Sequence, residues 1–151
     1  MAEPARQQPV AAPAHLFAVR VYWEDTDAAG IVYYANFLKF MERARSDMVR
    51  RAGIDQAQLL AREGIFFPVR RCTVDYHQSA RLEDELDVST SVDRIGGASV
   101  DLLQEIQRHG ELLVSARVRL ACINQAGRPR RLPAAVRAAF AARLAAAQGE
   151  G

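Results

Sequence analysis

Cysteine, histidine and lysine are scarce in this chain, and each scarcity removes a class of function. The two cysteines, Cys72 and Cys122, both sit in apolar runs with no CxxC spacing, so they are expected as small buried hydrophobes in a reducing compartment. The three histidines, His15, His77 and His109, share no ligand spacing, and no metal is expected. Lys39 is the single lysine, and a formal charge of +2 is too small to argue for a nucleic-acid partner. The arginine excess follows from genomic base composition as well as from function, although arginine suits phosphate recognition. No run approaches the roughly 18 apolar residues of a membrane span. The opening MAEPARQQPVAAPAH has neither a basic start nor a continuous apolar stretch, so a secretory signal is not expected and cytoplasm is the expected location. No internal repeat is visible.

What remains is ordinary for one globular domain: 151 residues, half of them apolar and a quarter charged. Residues 1–14 are rich in Ala, Pro and Gln and are expected as a disordered lead-in, with a single domain over 15–148. A first strand is predicted over Leu16–Trp23. A long helix is predicted from between Tyr33 and Asn36 to near Ala52, with Gly53 just past its end. Phe37, Met41, Ala44, Met48 and Ala52 recur at three- and four-residue spacing and make its apolar stripe, while Lys39, Glu42, Arg43, Ser46 and Arg50 take the other side. A short helix over Asp55–Arg62 follows, capped by Asp55 and stopped by Gly64.

From there the period changes to two. A strand is predicted over Phe66–Tyr76, with Pro68 marking an edge or bulge. Leu86, Val88, Thr90 and Val92 alternate with polar residues. Gly96-Gly97 and His109-Gly110 read as tight turns on either side of a strand at Val100–Arg108. In the next strand Leu112, Val114, Ala116, Val118, Leu120 and Cys122 share one face. After a basic loop at Gly127–Arg131, Pro133 opens a final helix with Val136, Phe140 and Leu144 inward and an alanine-rich end expected to fray. One long helix and a strand meander make a two-layer α+β domain. Its open sheet edge argues for pairing with a second copy.

The stretch with chemical promise is VYWEDTDAAGIVYYANFLKFMERARSDMVRR, residues 21–51. Glu24, Asp25 and Asp27 fall within four residues, ahead of the helix. A helix start offers unpaired N–H groups and a partial positive charge, which makes it a natural anion site. Gly30 is the flexible point of the turn and is expected to let the turn approach the helix end with no Cβ in the way. From spacing alone, helix-end charge balance or turn hydrogen bonding explains these acids better than catalysis does. Tyr22, Trp23 and Tyr33 are read as core or as pocket lining.

This stretch resembles the signature of the hotdog-fold acyl-CoA thioesterases, nearest to the YbgC-like enzymes associated with the Tol-Pal system and more distantly to 4-hydroxybenzoyl-CoA thioesterase. The similarity continues in GIFFPVRRCTVDY (64–76), GGAS (96–99), ARVRLACI (116–123) and GRPRRLP (127–133). The resemblance implies an antiparallel sheet wrapped around one long central helix, with the sheet extended across a homodimer and often a homotetramer above that. It implies hydrolysis of an acyl-CoA, or of an acyl carrier protein thioester, with no cofactor beyond the coenzyme A of the substrate. The second acid of the D-x-D pair, Asp27, would be the catalytic carboxylate. The amide at Tyr34 would polarise the thioester carbonyl. YbgC-like members usually carry His at the position of Tyr34, whereas the 4-hydroxybenzoyl-CoA type carries Tyr.

An Asp carboxylate can attack a thioester carbonyl directly or take a proton from water, and both routes stay open. Arg70, Arg71, Arg128, Arg130 and Arg131 are candidates to meet coenzyme A phosphates, Arg71 and Arg130 foremost, and Gly30 is counted with them in substrate binding. The alternative is a hotdog protein that binds acyl carrier protein or envelope-biogenesis partners without catalysis. The intact Asp27 and Gly30 speak against it.

Overall fold

Residues 14–144 are described in a computed structural model of the chain. The lead-in, apart from its last residue, and the alanine-rich end of the chain lie outside those residues. Strand β1 (His15–Arg20) is followed by a 3-10 turn (Trp23–Asp25), helix α1 (Asn36–Arg51) and helix α2 (Gln56–Glu63). Then come β2 (Ile65–Phe66), β3 (Val69–Tyr76), β4 (Glu85–Ile95), β5 (Ser99–Arg108), β6 (Glu111–Ala121), β7 (Ile123–Asn124) and α3 (Ala134–Ala141). Five strands form one antiparallel sheet in the order β1-β4-β5-β6-β3, and β2 pairs with β7 separately.

Helix α1 is the hub. Phe37, Phe40, Met41, Ala44, Met48 and Val49 are all buried on it, a wider face than the expected stripe, because the curved sheet embraces the helix rather than touching one line of it. Ala52 is exposed at the C-cap, and Gly53 follows with φ +87°. The sheet answers with the alternating buried side chains of β4, β5 and β6, among them Leu86, Val88, Leu102, Ile106, Val114 and Val118. Full burial of one such side chain contributes about 1.5–3 kcal/mol. Charge also enters this layer. Asp47, buried on α1, is hydrogen-bonded to His15 Nε2 of β1 at 2.9 Å, and it also pairs with Arg50 and Arg51. Gln104 of β5 donates to the Met41 carbonyl and the Thr90 hydroxyl.

Both hairpins turn where expected, although of the two only His109-Gly110 does so through positive φ. His109 (φ +49°) and Gly110 (φ +80°) both take the positive φ of a type I′-like turn, and Gly96 N–H donates to the Ser99 carbonyl at 2.8 Å. Asp55 Oδ1 accepts from the Gln58 amide at 3.0 Å, and Gly64 closes α2 in the left-handed conformation. Pro68 splits the strand predicted over 66–76 into β2 and β3.

Five expectations need correction. β1 ends at Arg20, short of the predicted Trp23, and Tyr22 and Trp23 are 58% and 78% exposed with Tyr33 exposed as well, which sets aside the core reading of the three and leaves that of pocket lining. On β6 a bulge opposite Ile106/Gln107 slips the alternation, so Leu113 is fully buried and Leu112 only half so. Cys122 is buried, but Cys72 lies exposed on the edge strand β3. Pro133 is the N-cap of α3 rather than its first residue, with ψ 147°. Leu144 is past the helix and exposed, bridging to Val92 in parallel. Among the described residues no helix is long and apolar enough to cross a membrane.

Candidate active site at the turn before the long helix

Residues 22–36 fold as a doubled-back loop, and the three acids separate by role. The Asp25 carboxylate is buried and accepts the Tyr22 amide at 2.9 Å, while the Asp25 carbonyl accepts both the Tyr33 amide and the Asn36 side-chain amide at 2.9 Å. Asp25 therefore ties the turn to the root of α1. Glu24 is exposed on the surface. Asp27 sits at the tip, where its amide donates to the Ile31 carbonyl (2.8 Å) and its carbonyl accepts from Gly30 (3.0 Å).

Asp27 Oδ1 accepts from the amides of Ala29 (2.9 Å) and Ile31 (3.4 Å). Among the described residues Oδ2 receives no hydrogen bond. One oxygen is thus oriented by backbone and the other has no hydrogen-bond donor among the described residues. Gly30 makes this loop possible through its φ of +81°, which other residues adopt only with strain. The expected close approach is not the reason: a Cβ at Gly30 would meet nothing within 4 Å.

The strand-like run 31–33 carries the loop to the helix. Val32 bridges to Thr26 on one side and its amide donates to the Ala80 carbonyl on the other, so the site loop is sandwiched by the 80–84 connection. That connection is pinned in turn by Arg108, whose guanidinium meets Asp84 at 2.7 Å. Burial alone would raise the Asp84 carboxyl, but the Arg81 amide and Arg108 hold it below its ordinary value.

Helix α1 starts without a side-chain cap. Its N-cap is Ala35, and Asn36, the residue whose type suits a cap, spends its side chain on the Asp25 carbonyl. Among the described residues, the amides of Tyr34, Ala35 and Phe37 find no protein acceptor. Tyr34 is exposed and packs edge-to-face between Tyr33 (5.0 Å) and Tyr76 (5.9 Å). The Tyr76 hydroxyl donates to the Tyr34 carbonyl at 3.2 Å. Tyr76, at the end of β3, was not singled out from the sequence, where only its place in the run 64–76 pointed to it.

Asp27, Gly30 and Tyr34 thus belong to one loop and the helix start it feeds. The arginines do not join them. Arg71 faces outward on β3 opposite Arg119, on the side of the sheet away from α1, while Arg119 and Arg117 already pair with Asp101 and Asp93. Arg130 lies exposed in the loop after β7, its amide tied to the Cys122 carbonyl. Arg70, with Gly127 and Pro129, lines a cavity of about 320 Å³ beside that loop. Among the described residues, no three His, Cys, Asp or Glu side chains are placed to hold a metal.

A five-stranded antiparallel sheet packed around one long helix is the architecture of the hotdog fold. The chain belongs to the thioesterase-like superfamily, whose sequence model matches residues 21–140. It is similar to the acyl-CoA thioesterase YbgC of Haemophilus influenzae, 40% identical over 82% of this chain and 92% of that one. It is likewise similar to the acyl-CoA thioester hydrolase YbgC of Escherichia coli, 41% identical over 81% and 92%. The crystal structure of a probable thioesterase from Bartonella henselae superposes with a TM-score of 0.77 at 39% identity, covering 80% of this chain and 99% of that one. The chain is a thioester hydrolase with the hotdog fold.

Proposed function

We propose that the chain hydrolyses acyl-CoA thioesters at the turn–helix junction, with Asp27 as the working carboxylate. The observation that carries this reading is the Asp27 geometry: Oδ1 is held by two backbone amides and Oδ2 is left open, one turn away from a helix start whose amides are unpaired. The thioester carbonyl oxygen meets those amides, Tyr34 first, where the negative charge that develops on it is stabilised; losing one such donor typically costs ~100- to 1000-fold in rate. Asp27 then either bonds to the carbonyl carbon, expelling the thiolate and leaving an anhydride for water to open, or takes a proton from the water that attacks. Both routes consume one water and release a free acid and coenzyme A thiol. Coenzyme A enters with the substrate, and the reaction needs no other cofactor.

The phosphates of coenzyme A are assigned to the basic loop, with Arg130 as the contact, and to Arg71 only from the outer face of the sheet. Gly30 serves substrate binding by shaping the loop. The cytoplasm is the proposed location, in keeping with an acyl-CoA substrate, and thioesters of acyl carrier protein are the related substrate to include in any panel. A single domain spans the described residues. The long, exposed edge β3 supports a homodimer joined edge to edge, with a homotetramer as the next level of assembly.

The test is thiol release from butyryl-, palmitoyl- and benzoyl-CoA by the wild type and by Asp27→Asn. Turnover of at least one thioester by the wild type, and its near-complete loss in a normally folded Asp27→Asn, is the expected result. Wild-type turnover in that variant overturns the assignment.

A further inference from the structure

Among the described residues, the carbonyls of Tyr33, Tyr34 and Ala35, just before α1, differ in where their donors come from. The Tyr33 carbonyl accepts the Asn36 amide at 2.8 Å, and the Ala35 carbonyl accepts the Leu38 amide at 3.1 Å. Between them, the Tyr34 carbonyl has no local donor. Its partner is the Tyr76 hydroxyl, delivered at 3.2 Å from the last residue of the edge strand β3.

A peptide unit is planar, so whatever holds its C=O also aims the N–H at its other end. The peptide whose oxygen is Tyr34 carries the Ala35 amide as its N–H. That amide has no protein acceptor among the described residues, and the Tyr34 amide one peptide earlier has none either. Two adjacent donors therefore have their carbonyl ends pinned, one by Asn36 and the other by Tyr76. Hydrogen bonding to a carbonyl also polarises the peptide and strengthens its N–H as a donor.

Tyr76 is itself well fixed. Its ring lies 6.0 Å from the buried Phe37 ring and 5.9 Å from Tyr34, edge-on to the latter. Beyond it the amides of His77 and Gln78 both donate to the Leu113 carbonyl, which anchors the end of the strand. Partial burial pushes the Tyr76 phenol up, with Cys72 and Tyr34 adding to it, which keeps the hydroxyl protonated and donating.

We infer that Tyr76 is a positioning residue for thioester hydrolysis: through the Tyr34 carbonyl it holds the Ala35 amide as a second donor to the reacting carbonyl oxygen, beside the Tyr34 amide. It acts through the peptide and does not itself touch the substrate. The inference rests on the acyl-CoA hydrolase reading above.

The test compares wild type, Tyr76→Phe, Tyr76→Leu and Asp27→Asn in the thiol-release assay, each with kcat, KM and melting temperature, using whichever of butyryl-, palmitoyl- and benzoyl-CoA the wild type cleaves fastest. Tyr76→Phe keeps the ring packing and loses only the hydroxyl. Its kcat is expected to fall about tenfold, the worth of one hydrogen bond expressed in the transition state, with KM within twofold of wild type and an unchanged melting temperature. Tyr76→Leu is expected to show at least the same loss of kcat. A wild-type kcat in Tyr76→Phe overturns the proposal, and so does a raised KM at unchanged kcat, which would make Tyr76 a substrate contact. Loss of kcat only in step with a falling melting temperature overturns it as well. If Asp27→Asn turns over like the wild type, the failure lies instead in the hydrolase assignment of the loop.

Discussion

Replacing Asp47 with alanine removes an acid buried on α1 and releases the clasp between that helix and β1. The His15 contact is 2.9 Å with both side chains 5% exposed, whereas Arg50 and Arg51 reach the same carboxylate from side chains 78% and 73% exposed. The exposed pairs contribute about 0.5 kcal/mol each. Deleting the partner of a buried hydrogen-bonded polar group costs about 1–3 kcal/mol, more where charge is involved, and the upper end applies at this contact. The total for Asp47→Ala is about 3–4 kcal/mol, or a melting point lower by about 10–15 °C in a domain of this size. Differential scanning calorimetry at pH 7 measures it, and a melting point within about 3 °C of wild type would refute the reasoning. The pH dependence has a definite sign. Burial works to raise the Asp47 carboxyl, but hydrogen bonds from Arg50, Arg51 and His15 and the charge of Arg51 outweigh it and hold the group below its ordinary value. Its stabilisation is therefore complete above the unfolded aspartate value of ~3.9 and is lost as pH falls through the lower folded value. The Asp47 contribution to the gap between wild type and variant should narrow below about pH 4.

Gln104→Leu keeps the volume of a side chain that is 1% exposed but strips the Thr90 hydroxyl, the Met41 carbonyl and Arg45 of a partner. A loss of about 2 kcal/mol, read as a lower urea midpoint with an unchanged slope, is expected. Static light scattering of the wild type should give at least twice the chain mass, and Val74→Arg, on the helix-facing side of the exposed edge β3, should shift it toward the monomer.

The period of α1 and the turn chemistry of Gly64, Gly96-Gly97 and His109-Gly110 were legible because each is a local rule. Leu113 was not, since a bulge depends on the partner strand and Leu112 alternates correctly without it. Residue type alone suggested burial at Cys72, yet Arg70, Arg71 and Thr73 flank it and β3 is an edge with nothing beyond it in one chain. Asp47 hid in a helix among charged residues, because only the fold brings His15 to it from 32 residues away. At the site, the acids and the glycine stood out by type, but their division of labour did not. Asp25 and Asp27 differ in which backbone amides point at them, which is a property of the doubled-back loop. The uncapped start was half visible in Tyr34-Ala35-Asn36, where a suitable cap residue is present but engaged by Asp25.

The central claim is that the carboxylate of Asp27 does the chemistry, and Asp27→Asn tests it most directly. Asparagine can still accept from the Ala29 and Ile31 amides, so the loop and the melting temperature should be preserved. Steady-state thiol release from the preferred acyl-CoA should then fall by at least about 1000-fold, equivalent to about 4 kcal/mol of lost transition-state stabilisation. A folded Asp27→Asn that releases thiol at the wild-type rate would contradict the account.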